Sequence, residues 1–179
     1  MPYVELHACS AFSFLRGGSF PEQLAETAAA LAMPAMALLD RNGVYGAQRF
    51  AVTAREHGVR PIVGAELTME DGSVLPVLVK DRIGYENLCE LLTQAHLRTA
   101  KGECAVQWNE LAPFAKGLVL LFGRQQLDGF KPSNWSGAAR GPQANHARHL
   151  IDVFDRANVC VEIQRHFVRG EDRVNEQLC

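Results

Sequence analysis

The sequence predicts an α/β fold in which parallel strands alternate with helical crossovers, as a sheet or a barrel covered by helices. Three observations carry this. Short apolar runs alternate with segments of helical period along most of the chain. The runs are apolar at successive positions, as in strands buried on both faces. Titratable residues stand directly after several runs, and in a parallel barrel those exits open on one face, where active sites lie.

The elements follow in order. "YVEL" predicts a strand near 3–7. Ser19 and Glu22 have capping-box spacing, with Pro21 in the first turn, and open a helix through Leu24, Ala28 and Leu31 that stops at Met33-Pro34. "AMALL" predicts a second strand near 35–39, ending at Asp40. A helix runs from about Val44 to His57, closed by Gly58. The third strand, near 60–66, ends at Glu66. The fourth, near 74–80, contains Pro76, which suggests an edge or a distortion. A helix from Gly84 to about Leu97 carries Leu88, Leu91, Leu92 and Ala95 on one side. Residues 117–122 form a fifth strand, and the polar stretch 123–142 a long loop. A helix with Leu150, Ile151, Val153 and Phe154 on its apolar side leads to a sixth strand near 158–164. A last helix begins in "RGEDRVNEQLC".

The totals suit one domain. The 179 residues are 47% hydrophobic and 21% charged, enough to build a core and unlike a disordered chain. A net charge of −2 supplies no overall field drawing the chain onto nucleic acid. No apolar run approaches a membrane span, and "MPYVELH" lacks the basic and apolar regions of a signal peptide. The five cysteines, Cys9, Cys89, Cys104, Cys160 and Cys179, share no CxxC spacing. They read as free thiols of a cytoplasmic protein, with Cys89 and Cys160 in the core.

The chemistry lies at the strand exits. His7 and Cys9 follow strand one, Asp40 and Arg41 strand two, Glu66 strand three, and Gln164, Arg165 and His166 strand six. Histidines and carboxylates together suit zinc, manganese or iron, and such centres hydrolyse phosphoesters. Each residue also has a plainer reading. A histidine at a strand exit can be a surface residue, and Asp40 before "RNG" can be a turn or helix cap. Glu66, in the apolar "VGAEL", needs a partner, which Arg41 or Arg16 would supply as an ion pair without metal. His57, His96, His146 and His149, on predicted helices, read as solvated.

The stretch from "ELHACSAFSFLRGGSF" to "RPIVGAEL" resembles the start of the PHP (polymerase and histidinol phosphatase) domain. More narrowly, "SAFSFLRGGS", "GYENLCELLTQA", "AKGE" and "VEIQRHFVRGED" resemble the N-terminus of error-prone bacterial C-family DNA polymerase III alpha subunits. The resemblance implies a PHP-type (β/α)7 TIM-like barrel, with residues 1–179 forming the N-terminal part, about two-thirds, and the final strands missing. It also implies a metal cluster at the strand exits, which in active members supports phosphoesterase or 3′–5′ exonuclease chemistry.

Carried over position by position, the match is incomplete. His7 and Cys9 stand where the family has His-x-His. Arg16 precedes Gly17 where a ligand Asp is common. Asp40 is kept, but Arg41 replaces the His of Thr-Asp-His. Glu66 matches a metal-bridging Glu, Val74 occupies the place of a His, and His166 matches the His after the sixth strand. A late Asp-x-His motif would lie beyond Cys179. The remnant ligand set is thus His7, Cys9, Asp40, Glu66 and His166, with Arg16, Arg41 and Val74 replacing ligands. A fixed cation repels a metal and can pair with the remaining carboxylates instead.

The leading expectation is a non-catalytic scaffold without a cofactor, joined to the thumb and palm domains of a longer polymerase and meeting DNA only in that context. The alternative is a zinc- or manganese-dependent phosphoesterase or exonuclease, in which Cys9 as a thiolate could serve as a ligand. A pure nucleic-acid-binding module is a third reading, with no aromatic-basic alternation behind it. An incomplete barrel would expose strand edges, through which a homodimer could form.

Overall fold

The structure, a computed structural model, describes residues 2–123, 141–164, 172, 175 and 176. Six strands form one sheet in the order β1 (Glu5–Ala8), β2 (Ala35–Arg41), β3 (Arg60–Thr68), β4 (Val74–Val79), β5 (Leu118–Phe122) and β6 (Val159–Val161). The helices are α1 (Pro21–Ala30), α2 (Ala47–Glu56), α3 (Arg82–Arg98), the short α4 (Leu111–Phe114) and α5 (Gly141–Phe154). The predicted last helix falls largely outside the described residues, as does most of the long loop.

The sheet is mixed. β1, β2 and β3 run parallel, as do β5 and β6, but β4 is antiparallel to both its neighbours. This corrects the expectation of uniform parallel alternation. A parallel return needs a crossover of about a dozen residues or more, and the β3–β4 link is a hairpin closed by Met69 N–H donating to Ser73 O at 2.8 Å. Its Asp71-Gly72 pair is a hairpin signal, and Gly72 adopts φ +82°. One consequence matters for the site. Val74, the first residue of β4, pairs with Thr68, so β4 starts on the rim where β1, β2 and β3 end.

Pro76 lies in an interior strand, not at an edge, and is buried. The β4–β5 register begins at Val77↔Leu120, so Pro76 sits just past the end of that ladder, where its missing N–H is not called on. Helix α1 starts later than the Ser19 capping box implies. Phe20 is the N-cap, and its N–H donates to Gln23 Oε1 at 2.9 Å, while Glu22 pairs with Arg49 of α2. Asp81 caps α3 by accepting from Gly84 N–H at 2.9 Å.

Strand pleating divides the core. Met36 and Leu38 of β2 face α1 and α2, packing with Ala25, Ala28, Phe50 and Ala54. Ala37 and Leu39 face the other way, into a small apolar lining with Leu78 and Leu121. The largest cluster lies between β3–β5 and helices α3, α4 and α5, around Leu67, Leu75, Leu88, Leu91, Leu120 and Leu150. Cys160 is exposed and Cys89 half-buried, which corrects their placement in the core. Cys160 sits on an edge strand of only three residues with one neighbour.

Candidate functional site

His7, near the end of β1, is partly buried, with its side chain 8% exposed. Its Nε2 lies 2.9 Å from Glu66 Oε1 at the end of β3, and its Nδ1 lies 2.6 Å from Glu162 Oε1, just past β6. Gln164 Nε2 also approaches Nδ1, at 3.2 Å. Both ring nitrogens face carboxylates, and an imidazole donates from both only when it is protonated. Burial acts against the imidazolium, but the hydrogen bonds to Glu162 and Glu66 outweigh it and raise the His7 pKa to about 9.

Glu66, 4% exposed, is the centre of the group. Its Oε2 lies 3.0 Å from Arg41 Nε and 3.3 Å from Arg16 Nη2. Burial alone would raise its pKa, yet His7, Arg41 and Arg16 together hold it below the usual carboxylate value. Arg41 meets Glu66 as a close ion pair, not as the aligned hydrogen bond a charge-assisted contact would give, because its Nε finds no hydrogen-bond geometry. Its Nη1 donates instead to Thr68 Oγ1 at 3.0 Å. Asn42, in the left-handed region at φ +53°, donates its Nδ2 to the same hydroxyl at 2.9 Å and its backbone N–H to Glu66 O at 2.8 Å. The ends of β2 and β3 are thereby locked together.

Asp40 belongs to a separate group. Side chains alternate across a strand, so Asp40 follows the face of Leu38 and Arg41 that of Leu39. Its carboxylate, 2% exposed, accepts from Ser10 N–H at 2.8 Å, Ser10 Oγ at 2.9 Å and Ser13 Oγ at 2.7 Å. All of its hydrogen-bonding partners here are neutral. Cys9, between the two groups in sequence, is half-buried, and burial pushes its thiol up, away from the thiolate a metal requires. Val74 is half-buried and brings no ligand atom to the rim.

The structure therefore brings His7, Glu66, Arg41 and Arg16 together, turns Asp40 into its own cage, and leaves Cys9 a free, half-buried thiol. His166 and Arg165 lie outside the described residues, as does the side chain of His146. His57, His96 and His149 are exposed as expected, although a ring nitrogen of His96 lies 2.8 Å from Asn42 O. Sequence reasoning missed Glu162, Ser10, Ser13 and Thr68. Glu162 carried the same signal as Glu66, a carboxylate in the apolar run "VCVEIQ". The serines carried none by residue type.

Among the described residues, no group of three or more His, Cys, Asp and Glu side chains is arranged to hold a metal. Between β1 and β6 lies a groove of about 480 Å³, lined by Tyr3, Leu6, His7, Val161 and Ile163 among others.

The PHP domain model matches residues 5–166. The chain is 38% identical over 200 residues to an error-prone DNA polymerase of Mycolicibacterium paratuberculosis, covering 99% of this chain and 17% of the relative. It is 40% identical over 146 residues to an error-prone DNA polymerase of Corynebacterium glutamicum, covering 75% and 14%. It thus spans about a sixth of the length of such relatives. Among solved structures, a candidate metal-dependent phosphoesterase from Bifidobacterium adolescentis matches with a TM-score of 0.64 at 14% identity, over 97% of this chain and 82% of that one. That likeness concerns the fold, an incomplete TIM-like barrel.

Proposed function

Because this chain belongs to the PHP domain family, we propose that it is the PHP portion of an error-prone DNA polymerase whose metal site has been replaced by an ion-pair network, and that its role is structural. One observation carries the reading. Glu66, the position that matches the family's bridging carboxylate, is already met by His7, Arg41 and Arg16. Three cations face the two carboxylates Glu66 and Glu162. Fixed guanidinium groups beside the carboxylate that a metal would need repel that metal and already occupy its oxygens. The donor set does not fit a metal ion.

In this reading the domain acts on DNA only as part of a longer polymerase, whose remaining domains, thumb and palm among them, are its partners. The β1 and β6 edges, with the groove between them, are a surface for that contact or for a second copy of the chain. Among the described residues no helix is long and apolar enough to cross a membrane. The cytoplasmic location that belongs to this reading rests instead on the cysteines, which share no CxxC spacing and read as free thiols.

A second reading is favoured by one feature. His7 with Glu162 on one nitrogen and its other nitrogen beside Glu66 resembles a metal-binding histidine oriented by a carboxylate. A zinc- or manganese-dependent phosphoesterase or 3′–5′ exonuclease would use that pair. Elemental analysis of the purified chain, before and after incubation with zinc and manganese, separates the two. The scaffold reading expects no stoichiometric metal and no release of nucleotides from single-stranded DNA. Bound metal with nucleotide release abolished by Glu66→Gln would overturn it.

A further inference from the structure

In the sheet order, β1 and β6 are the two outermost strands. Strands in a sheet lie about 4.8 Å apart, so in a flat sheet of this order β1 and β6 would be separated by about 24 Å, and β1 and β3 by about 10 Å. Yet His7 of β1 touches Glu162 beside β6 at 2.6 Å and Glu66 of β3 at 2.9 Å. The sheet must curl until its two edges nearly meet. The curl leaves a groove of about 480 Å³ between them, so side chains span what backbone pairing does not.

We infer that His7 is a clasp: a positioning residue that ties the two edges of the sheet together, through Glu162 to β6 and through Glu66 to the centre of the rim. The inference rests on the scaffold reading, since a histidine committed to two carboxylates is not offered to a metal. Each end of the clasp is anchored. Glu66 is fixed by Arg41 and Arg16. The His7 backbone N–H donates to Glu5 Oε1 at 2.9 Å, and on the β6 side Glu162 N–H donates to Phe122 O at 2.8 Å. The apolar lining inside the curl is small at this level, with Ala37, Leu39, Leu78 and Leu121 as its buried members. The polar clasp stands at the rim, past that lining, where it can control how far the edges spread. Three elements that are remote in sequence are joined at one imidazole, which is the geometric task a metal cluster performs elsewhere.

Amide hydrogen exchange on the full 179-residue chain tests this. In His7→Gln, amides of Glu5–Ala8 and Val159–Val161 should exchange at least tenfold faster, while those of α3 and of the β3–β4 hairpin keep their wild-type rates. Glu162→Gln should accelerate the same two edges, and the double variant should exchange no faster than His7→Gln, because both changes open one contact. If His7→Gln does not fold, Glu162→Gln alone decides. Unchanged edge rates, or acceleration spread evenly over the domain, would refute the clasp. Addition of zinc to the wild-type chain should change no rate. Zinc-induced protection of β1 would refute the scaffold reading, while the metal-free variants would still decide the clasp.

Discussion

Arg41 and Glu66 are register partners across the β2–β3 ladder, and Arg41 Nε lies 3.0 Å from Glu66 Oε2. The pairing is set twice, once by backbone hydrogen bonding and once by charge. Removing one partner of a buried pair costs about 3–5 kcal/mol because the other charge is left behind. Glu66 keeps His7 and Arg16, and can take up a proton, so the lower end applies. Arg41→Ala should destabilise the fold by about 3 kcal/mol, read as a lower urea midpoint. Arg41→His should regain part of that in the presence of zinc. A wild-type midpoint for Arg41→Ala would show the arginine to be a solvated bystander.

The pH dependence of His7 has a definite sign. Its folded pKa, about 9, lies above the ordinary 6.5. The stability it contributes is therefore fully present below pH 6.5 and is lost as pH rises through 9. The difference in unfolding free energy between wild type and His7→Gln should shrink by roughly 3 kcal/mol between pH 6 and pH 10. Glu66, whose folded pKa is lowered, contributes stability that is present above the unfolded carboxylate value and disappears as pH falls through the folded one. The two share contacts, so the variants are not additive. A gap independent of pH between 6 and 10 would mean that the ring is neutral.

Ser13 holds two chain segments at once. Its hydroxyl donates to Asp40 Oδ1 at 2.7 Å and accepts from Arg41 N–H at 2.9 Å. Hydrogen bonds to a charged group contribute about 1.5–3 kcal/mol, and a buried donor left unsatisfied adds to the loss. Ser13→Ala should cost about 2 kcal/mol or more in urea unfolding, and Asp40→Asn, which keeps acceptor capacity, less than Asp40→Ala. Equal midpoints for Ser13→Ala and wild type would show that water replaces the hydroxyl.

Much of this architecture was legible in the chain. Apolar runs marked all six strands, and a carboxylate in "VGAEL" marked Glu66 as a residue in need of cations. The direction of β4 was less visible because alternation of β and α elements dominates the pattern, while a single Asp71-Gly72 turn reverses the chain. Asp40 and Arg41 were adjacent in sequence and assigned to one site, but pleating sends neighbours to opposite faces. The serine cage was hidden because serine is common in loops, and only the fold places two hydroxyls against one carboxylate. Glu162 carries a legible signal as a carboxylate in an apolar run, but its partner His7 lies 155 residues away in sequence and only the curl of the sheet brings the two together.

The loop that carries Ser10 and Ser13 to Asp40 depends on one of two adjacent glycines. A Cβ on Gly17 would lie 2.1 Å from Ser10 O and 2.8 Å from Cys9 O, both backbone atoms that no rotamer change can move. A Cβ on Gly18 would meet nothing within 4 Å. Gly17 thus permits the close return of the chain over residues 9–10, assisted by its N–H donating to Ser13 O at 3.1 Å. Overpacking of this kind costs typically 1–3 kcal/mol, and contact with fixed backbone places it at the upper end. Gly17→Ala should therefore lower stability by about 3 kcal/mol and accelerate amide exchange at Ser10, whose N–H donates to Asp40. Gly18→Ala should lie within about 0.5 kcal/mol of wild type. Equal effects of the two substitutions would show that the loop accommodates a side chain at either position, and that the approach of Ser10 to Asp40 does not depend on the glycine.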